Sequence, residues 1–75
     1  MDFEHQGRQY ATMRASDLER DGMGLELRTD GKTVAEVFFS DASGDFTVSI
    51  FSESLPMAVV ELLITEAKVV LLPVV

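Results

Sequence analysis

The sequence has no cysteine, no tryptophan and a single histidine, and these absences exclude several ways of stabilising a short chain. Without cysteine, neither a disulfide nor a thiolate metal site can form, and one histidine excludes an imidazole-rich site. A chain of 75 residues forms one small domain, whose hydrophobic core supplies only about 3–5 kcal/mol. Association with a second subunit is therefore the remaining source of additional stability.

Long apolar runs and basic residues are also scarce. No stretch reaches the roughly 18 consecutive apolar residues of a membrane span, and residues 1–5 lack the basic and apolar regions of a signal peptide. Six lysines and arginines stand against thirteen aspartates and glutamates, a formal charge of −7 that disfavours contact with phosphate backbones. We therefore expect a cytoplasmic protein with no membrane contact, whose acidity serves solubility or attracts a basic partner.

Alternating apolar residues predict four strands. Residues 1–8 are polar and are expected to be a flexible N-terminal segment. Strands are expected over Gln9–Ala15 and Met23–Arg28, and two further strands on either side of the turn Asp41–Gly44. The polar stretch between the first two strands is expected to be a connection, with room for one helical turn.

The first of two later turns predicts a register. If residues 29–31 form a three-residue loop, Gly31 takes the left-handed position and Leu25 lies opposite Ala35. A two-residue Asp-Gly turn would instead place Glu36 beside the leucines, where burial disfavours a carboxylate. The sequence therefore favours the longer loop.

The second turn predicts the same inner face independently. Placing Ser40 opposite Asp45 pairs the next residues as Phe39–Phe46, Val37–Val48 and Ala35–Ile50. Both turns then select one inner face: Leu25, Leu27, Ala35, Val37, Phe39, Phe46, Val48 and Ile50. A slip of one residue would turn each strand over, so this agreement indicates an antiparallel meander.

A helix is expected to follow the sheet, from about Leu55 to Val70, ending before Pro73. Ser54 supplies a capping hydroxyl and Pro56 a proline for the first turn. The helix has two apolar flanks, one with Leu55, Leu62 and Val69, the other with Val60, Ile64, Ala67 and Leu71. An ordinary amphipathic helix needs only one such stripe. One flank can pack on the sheet, while a second subunit, the first strand or the Val74–Val75 tail covers the other.

The predicted fold class is α+β, a four-stranded antiparallel β-meander followed by one C-terminal α-helix packed on one sheet face. Residues 9–72 would form a single ββββα domain between the flexible segment 1–8 and a C-terminal tail over residues 73–75. Two points stay open: which helix flank faces the sheet, and whether the first strand pairs with the second or with another subunit.

No pattern of residues predicts a catalytic, metal or cofactor site. The loop Asp41–Asp45 is rich in carboxylates, but Phe46 stands where a calcium loop requires glycine. Glu26 and Glu36 are neighbours on an open sheet face, which offers no cleft to separate their pKa values. His5 belongs to the flexible segment and cannot activate a nucleophile. We therefore expect a non-enzymatic protein that needs no cofactor.

Five apolar residues are the candidate interaction surface. Tyr10, Phe38 and Phe51 are predicted to point to the outer face of the sheet, and Leu62 and Val69 belong to one helix flank. Exposed aromatic side chains either stack on single-stranded nucleic acid or are covered by another protein. The negative charge of the chain favours the protein.

Three segments resemble a family of short bacterial proteins with no assigned function: Asp17–Leu27, Val34–Asp41 and Leu55–Leu63. The order of four strands and one helix is similar to that of the coactivator, Pur-alpha and Whirly class of single-strand binders, which dimerise. We expect the chain to be a homodimeric protein-interaction domain with an accessory or regulatory function. A heterologous protein is a second partner that such a domain can bind. The alternative is single-stranded nucleic-acid binding through the outer sheet face, which the second resemblance implies.

Overall fold

The computed structural model of the chain describes residues 1–72 and contains five strands and one helix. In chain order the elements are β1 (Asp2–His5), β2 (Arg8–Asp17), β3 (Gly22–Thr29), β4 (Lys32–Ser40), β5 (Phe46–Ile50) and α1 (Met57–Val70). Two expectations, the tail over residues 73–75 and the end of the helix before Pro73, lie outside the described residues.

The sheet is an antiparallel meander in which each strand pairs with the next, in the order β1-β2-β3-β4-β5. Helix α1 follows the last strand and contacts β3 and β4. The predicted α+β class, an antiparallel sheet with one C-terminal helix, is confirmed. The predicted count of four strands is wrong, because the first residues of the chain form a fifth.

Strand β1 corrects the expectation that residues 1–8 are flexible. It joins β2 through Gln6 and Gly7, whose φ angles of 50° and 80° suit a two-residue hairpin turn. Phe3 lies opposite Tyr10, and the two rings stack with their centroids 5.3 Å apart. The backbone ladder to β2, the turn and the aromatic pair together hold this strand, although most of its side chains are polar.

The β2–β3 hairpin is longer than predicted. Strand β2 continues to Asp17 and β3 begins at Gly22, so the polar connection is a tight turn over residues 18–21. The Asp17 carboxylate accepts hydrogen bonds from the backbone N–H groups of Glu19 and Arg20, both at 3.1 Å. These bonds satisfy two backbone N–H groups where the chain reverses.

The turn between β3 and β4 differs from the prediction. Asp30 and Gly31 form a two-residue turn with φ angles of 51° and 73°, and Thr29 lies opposite Lys32. The predicted three-residue loop is therefore wrong. An Asp-Gly pair is the standard sequence for a hairpin turn that needs positive φ at both central residues.

A β-bulge in β4 restores the register that the shorter turn would have shifted. The pairs on its two sides are Arg28–Thr33 and Leu27–Ala35, followed by Leu25–Val37. Val34 is the extra residue, and it moves every later side chain of β4 to the opposite face. Glu36 consequently lies on the outer face, as predicted. The inner face is the predicted one, but Leu25 does not lie opposite Ala35.

The β4–β5 register agrees with the prediction. The Ser40 N–H donates to the Asp45 carbonyl at 3.0 Å, and the pairs are Phe39–Phe46, Val37–Val48 and Ala35–Ile50. Val37 is buried, whereas Val48 and Ile50 remain 46% and 49% exposed. The predicted burial along β5 is therefore wrong for Val48 and Ile50, because α1 packs mainly on β3 and β4, whereas Phe46 is half-buried against the core.

Helix α1 begins at Met57, two residues later than predicted, and no side chain of the described residues caps it. The predicted cap by Ser54 is wrong: Pro56 is the N-cap residue, and the Ser54 carbonyl accepts a hydrogen bond from the Ser52 hydroxyl. One row of the helix is buried, and it consists of Val59, Leu63 and Ala67, followed by Leu71. These residues form one core with the inner face of β3 and β4.

Candidate interaction surface

Tyr10 lies on the helix face of the sheet and is buried, so its predicted position on the outer face is wrong. Thr12 lies opposite Leu27 across the β2–β3 pair, and alternation along the strand places Tyr10 on the same side as Thr12. Arg14 shares this side, and its guanidinium donates to the Val70 carbonyl at 3.4 Å. Alternation alone does not tell the two faces of β2 apart, and no turn signal fixes its register.

Phe38 does lie on the outer face, but it is buried there. The guanidinium carbon of Arg20 sits 4.0 Å from the centre of its ring. Gly22 provides the space, because a Cβ at this position would lie 2.6 Å from Cζ of the ring. Phe38 is therefore packed between the strand below and the arginine above, and it presents no free ring face.

Arg20 holds two carboxylates besides covering the ring. It donates to both oxygens of Glu36, at 2.9 and 3.0 Å, and to Asp17. Hydrogen bonds from the Arg20 side chain and backbone lower the pKa of Asp17 below its ordinary value. The hydrogen bonds to Glu36 and Asp17 raise the pKa of Arg20 further above its already high value. The charge of Arg20 is thus matched within the chain.

Phe51 is the exposed member of the three predicted aromatic residues, with 61% of its surface accessible. It directly follows β5, and its N–H donates to the Val34 carbonyl at 2.8 Å. Tyr10 is buried on one face and Phe38 beneath Arg20 on the other. The structure does not bring the three rings together, so they do not form a stacking platform.

Leu62 and Val69 are both exposed, at 43% and 76%, and together they are named the helix flank here. Their neighbour Glu66 lies 3.7 Å from the N-terminal amine of Met1, which places this side of α1 toward β1. At about 100° per residue, Leu62 and Val69 lie within roughly 60° of Glu66 around the helix. Of the two predicted flanks, the one with Ile64, Ala67 and Leu71 faces the sheet, because Ala67 and Leu71 are buried in the core and Ile64 packs against it.

Strand β5 is a feature that the sequence did not predict as a surface. It is one of the two edges of the sheet that residues 1–72 form. Its inner-face side chains, Val48 and Ile50, are half exposed, and Phe51, which follows the strand, is exposed as well. Val48, Ile50 and Phe51, with the backbone of β5, are named the β5 edge.

The hydrogen bonds of β5 reveal which backbone groups are free. Asp45 and Phe51 both bond to β4, and in an antiparallel ladder every second residue does so. Thr47 and Ser49 therefore also direct their N–H and C=O groups to β4. The remaining residues, Phe46, Val48 and Ile50, direct theirs away from the sheet. The free backbone groups and the half-exposed side chains thus belong to the same residues.

The two edges of the sheet differ in charge. Residues 46–52 carry no charged side chain and no proline, the two devices with which edge strands usually avoid pairing. On β1, the Met1 carbonyl accepts from Thr12, so alternation leaves the backbone groups of Asp2 and Glu4 free. The β1 edge is therefore protected by carboxylates, and the β5 edge is not.

Within residues 1–72 no three potential ligands cluster to hold a metal ion. An open depression of about 440 Å³ lies beside Met13 and Arg28, but that guanidinium already donates to Thr33 and to the Gly31 carbonyl. Among residues 1–72, no helix has the length and apolar character that a membrane span requires.

Comparison of the chain with protein-family models, with curated proteins and with solved structures found no match. The two resemblances noted in the sequence therefore stay expectations, and the surface geometry carries the functional argument.

Proposed function

We propose that this protein is a non-enzymatic protein-interaction domain, which acts as an accessory or regulatory subunit in the cytoplasm and forms a homodimer. The observation that carries the proposal is the uncovered apolar surface of the single chain. The helix flank and the β5 edge together expose five large apolar side chains: Val48, Ile50, Phe51, Leu62 and Val69. Such surface on a small domain is typical of protein contacts.

The magnitude of this surface favours association of moderate strength. Burying a whole valine or isoleucine side chain contributes about 1.5–3 kcal/mol. The uncovered halves of Val48 and Ile50, counted on two copies, would thus give roughly 3–6 kcal/mol. Association costs at least about 4 kcal/mol in lost freedom of motion, so backbone hydrogen bonds or further contacts must contribute as well. We therefore expect a dimer that dissociates on dilution.

The two surfaces lie on different sides of α1, which suits a domain with two kinds of contact. The helix flank lies on the side of Glu66, toward β1, and β5 is the opposite edge of the sheet. A second copy bound to one surface leaves the other accessible for a heterologous partner. The net charge of −7 favours a partner with a basic surface.

Single-stranded nucleic-acid binding receives no comparable support. It requires aromatic rings on one accessible face together with basic residues for the phosphates. Phe38 is covered by Arg20, which in turn is bound to Glu36 and Asp17. We therefore do not propose it as a second function.

Sedimentation equilibrium over a wide range of protein concentrations tests the proposal. The expected result is a mass that rises from one chain toward two as the concentration increases to about 1 mM, the range of weak complexes. A mass of one chain throughout this range would overturn the homodimer. Replacing Glu19, an exposed residue of the β2–β3 turn that belongs to neither surface, by glutamine gives a control that should leave the association unchanged.

A further inference from the structure

We propose that the second copy adds to the free edge of β5 in antiparallel orientation, so that Val48 lies opposite Val48 of the partner subunit on a two-fold axis. The two meanders then become one continuous sheet of ten strands, five from each copy. This inference rests on the proposed homodimer and names the surface and the register through which it forms.

The register follows from the backbone groups that β5 leaves free. In an antiparallel pair, opposed residues with outward-facing groups exchange two hydrogen bonds. Centring the axis on Val48 opposes Phe46 to the partner's Ile50, so all three free residues of both copies are used. A shift of two residues in either direction leaves one free residue of each copy outside the five-residue strand. The centred register therefore makes the most complete pairing.

The distribution of carboxylates favours pairing of the β5 edge with the β5 edge of a second copy. With the axis on Val48, Asp45 falls opposite the partner's Phe51, so no carboxylate of one copy opposes a carboxylate of the other. Two β1 edges paired in the same way would oppose Asp2 to the partner's Glu4, which like-charge repulsion disfavours. Pairing of β1 with β5 would not close and would produce fibres instead of a dimer.

The side chains of β5 gain cover in this arrangement. Phe46, Val48 and Ile50 all lie on the helix face, so the two copies place a row of these residues side by side across the axis. Cross-strand neighbours of this kind stabilise a sheet through side-chain contact. Pairing through five residues buries less than a standard interface, which agrees with a dimer that dissociates on dilution.

Amide hydrogen exchange measured by NMR at low and high protein concentration tests the arrangement residue by residue. The amides of Phe46, Val48 and Ile50 should become protected at high concentration, because only the dissociated chains then expose them. When nine tenths of the chains are paired, their exchange should slow about tenfold. The amides of Thr47 and Ser49 should not change, since they are already bonded to β4 within each chain.

Two lysine substitutions with the same change of charge separate the candidate surfaces. Val48→Lys opposes two ammonium groups on the axis and should abolish the dimer, whereas Leu62→Lys on the helix flank should preserve it. Continued protection of the Thr47 and Ser49 amides shows that the Val48→Lys chain is folded. If that variant does not fold, Ile50→Lys places the same charge on the free edge and serves instead.

The outcomes distinguish this inference from the proposed function. Concentration-dependent protection of the three alternate amides, with loss of the dimer in Val48→Lys alone, supports the β5 pairing. A dimer that shows no such protection and is lost in Leu62→Lys would overturn the β5 pairing but leave the homodimer intact. Absence of any dimer in the unmodified chain would overturn both. Added protection at Asp2 and Glu4 would indicate open-ended β1–β5 assembly and would also overturn the two-fold pairing.

Discussion

Two glycines of β3 provide a matched test of how tightly the outer face is packed. A Cβ added at Gly22 would lie 2.1 Å from the Phe39 carbonyl oxygen and 2.6 Å from Cζ of Phe38. A Cβ at Gly24 would lie 2.6 Å from a carboxylate oxygen of Glu36. The first obstacle is backbone and a packed ring, whereas the second is the end of a flexible side chain. We therefore expect Gly22→Ala to be much more damaging than Gly24→Ala.

The expected magnitudes follow from this difference. Replacing glycine by alanine restricts the unfolded chain and by itself stabilises a protein by about 0.4–1 kcal/mol. Overpacking that moves backbone costs about 1–3 kcal/mol or more, so Gly22→Ala should lose at least about 2 kcal/mol. In Gly24→Ala the Glu36 side chain can turn aside at the expense of its ion pair with Arg20, and this loss offsets part of the gain. Its net change should therefore stay within about 1 kcal/mol.

Urea denaturation, monitored by circular dichroism, measures the stability of both variants. Because a core of this size supplies only about 3–5 kcal/mol, Gly22→Ala should show a strongly reduced midpoint or a largely unfolded chain. The comparison must be made at one low protein concentration, since dimer formation stabilises the folded state by mass action. Equal midpoints for the two variants would refute the packing described for Phe38 and the β3–β4 register on which it depends.

Three further predictions concern the core, the Arg20 cluster and nucleic acid. Leu63→Ala removes a fully buried side chain and should cost about 2–5 kcal/mol, whereas Leu62→Ala on the exposed flank should change the unfolding free energy by about 0.5 kcal/mol or less. The pKa of Asp17 is lower in the folded than in the unfolded chain, so its contribution is present above the unfolded pKa and is lost as pH falls through the folded pKa. Melting temperatures measured between about pH 2 and pH 7 should therefore fall less steeply in Asp17→Asn, and parallel curves would contradict this account. A labelled poly-pyrimidine strand should show no binding in fluorescence anisotropy at physiological salt, and binding that is abolished by Phe51→Ala would contradict the ranking of functions.

The turn before β4 shows how a face can be predicted correctly through an incorrect pairing. Burial of Leu25 and Leu27 requires Glu36 on the other face, and this requirement holds whatever the turn is. A three-residue loop and a two-residue turn with a bulge both satisfy it. The sequence carries the hydrophobic pattern that selects the face, but it does not show where the extra residue lies. Val34, an ordinary strand residue, gives no local sign of the bulge.

The β2 strand shows where alternation is insufficient. Tyr10, Thr12 and Arg14 alternate with small and apolar residues, so hydrophobicity favours the wrong face as the inner one. Their true position depends on distant partners: Tyr10 stacks on Phe3, and Arg14 reaches the Val70 carbonyl near the end of α1. The same holds for Phe38, because only the hairpin turn brings Arg20 over its ring. Interactions between separate elements therefore determine which side chains are exposed, whereas the sequence pattern determines which segments form the sheet.

The width of the sheet relative to one helix explains why an uncovered edge exists at all. Strands lie about 4.8 Å apart, so five strands span roughly 19 Å, while one helix with its side chains is about 10–12 Å across. On the β1 side the difference is filled by large side chains, the stacked Phe3 and Tyr10 rings and the Arg14 contact with α1. On the β5 side Phe46 packs against Phe39, but Val48 and Ile50 remain half exposed. Adding side-chain bulk on this side should therefore weaken dimer formation. In Val48→Phe the larger ring would cover the edge within one chain, whereas in the unmodified protein a second copy covers it.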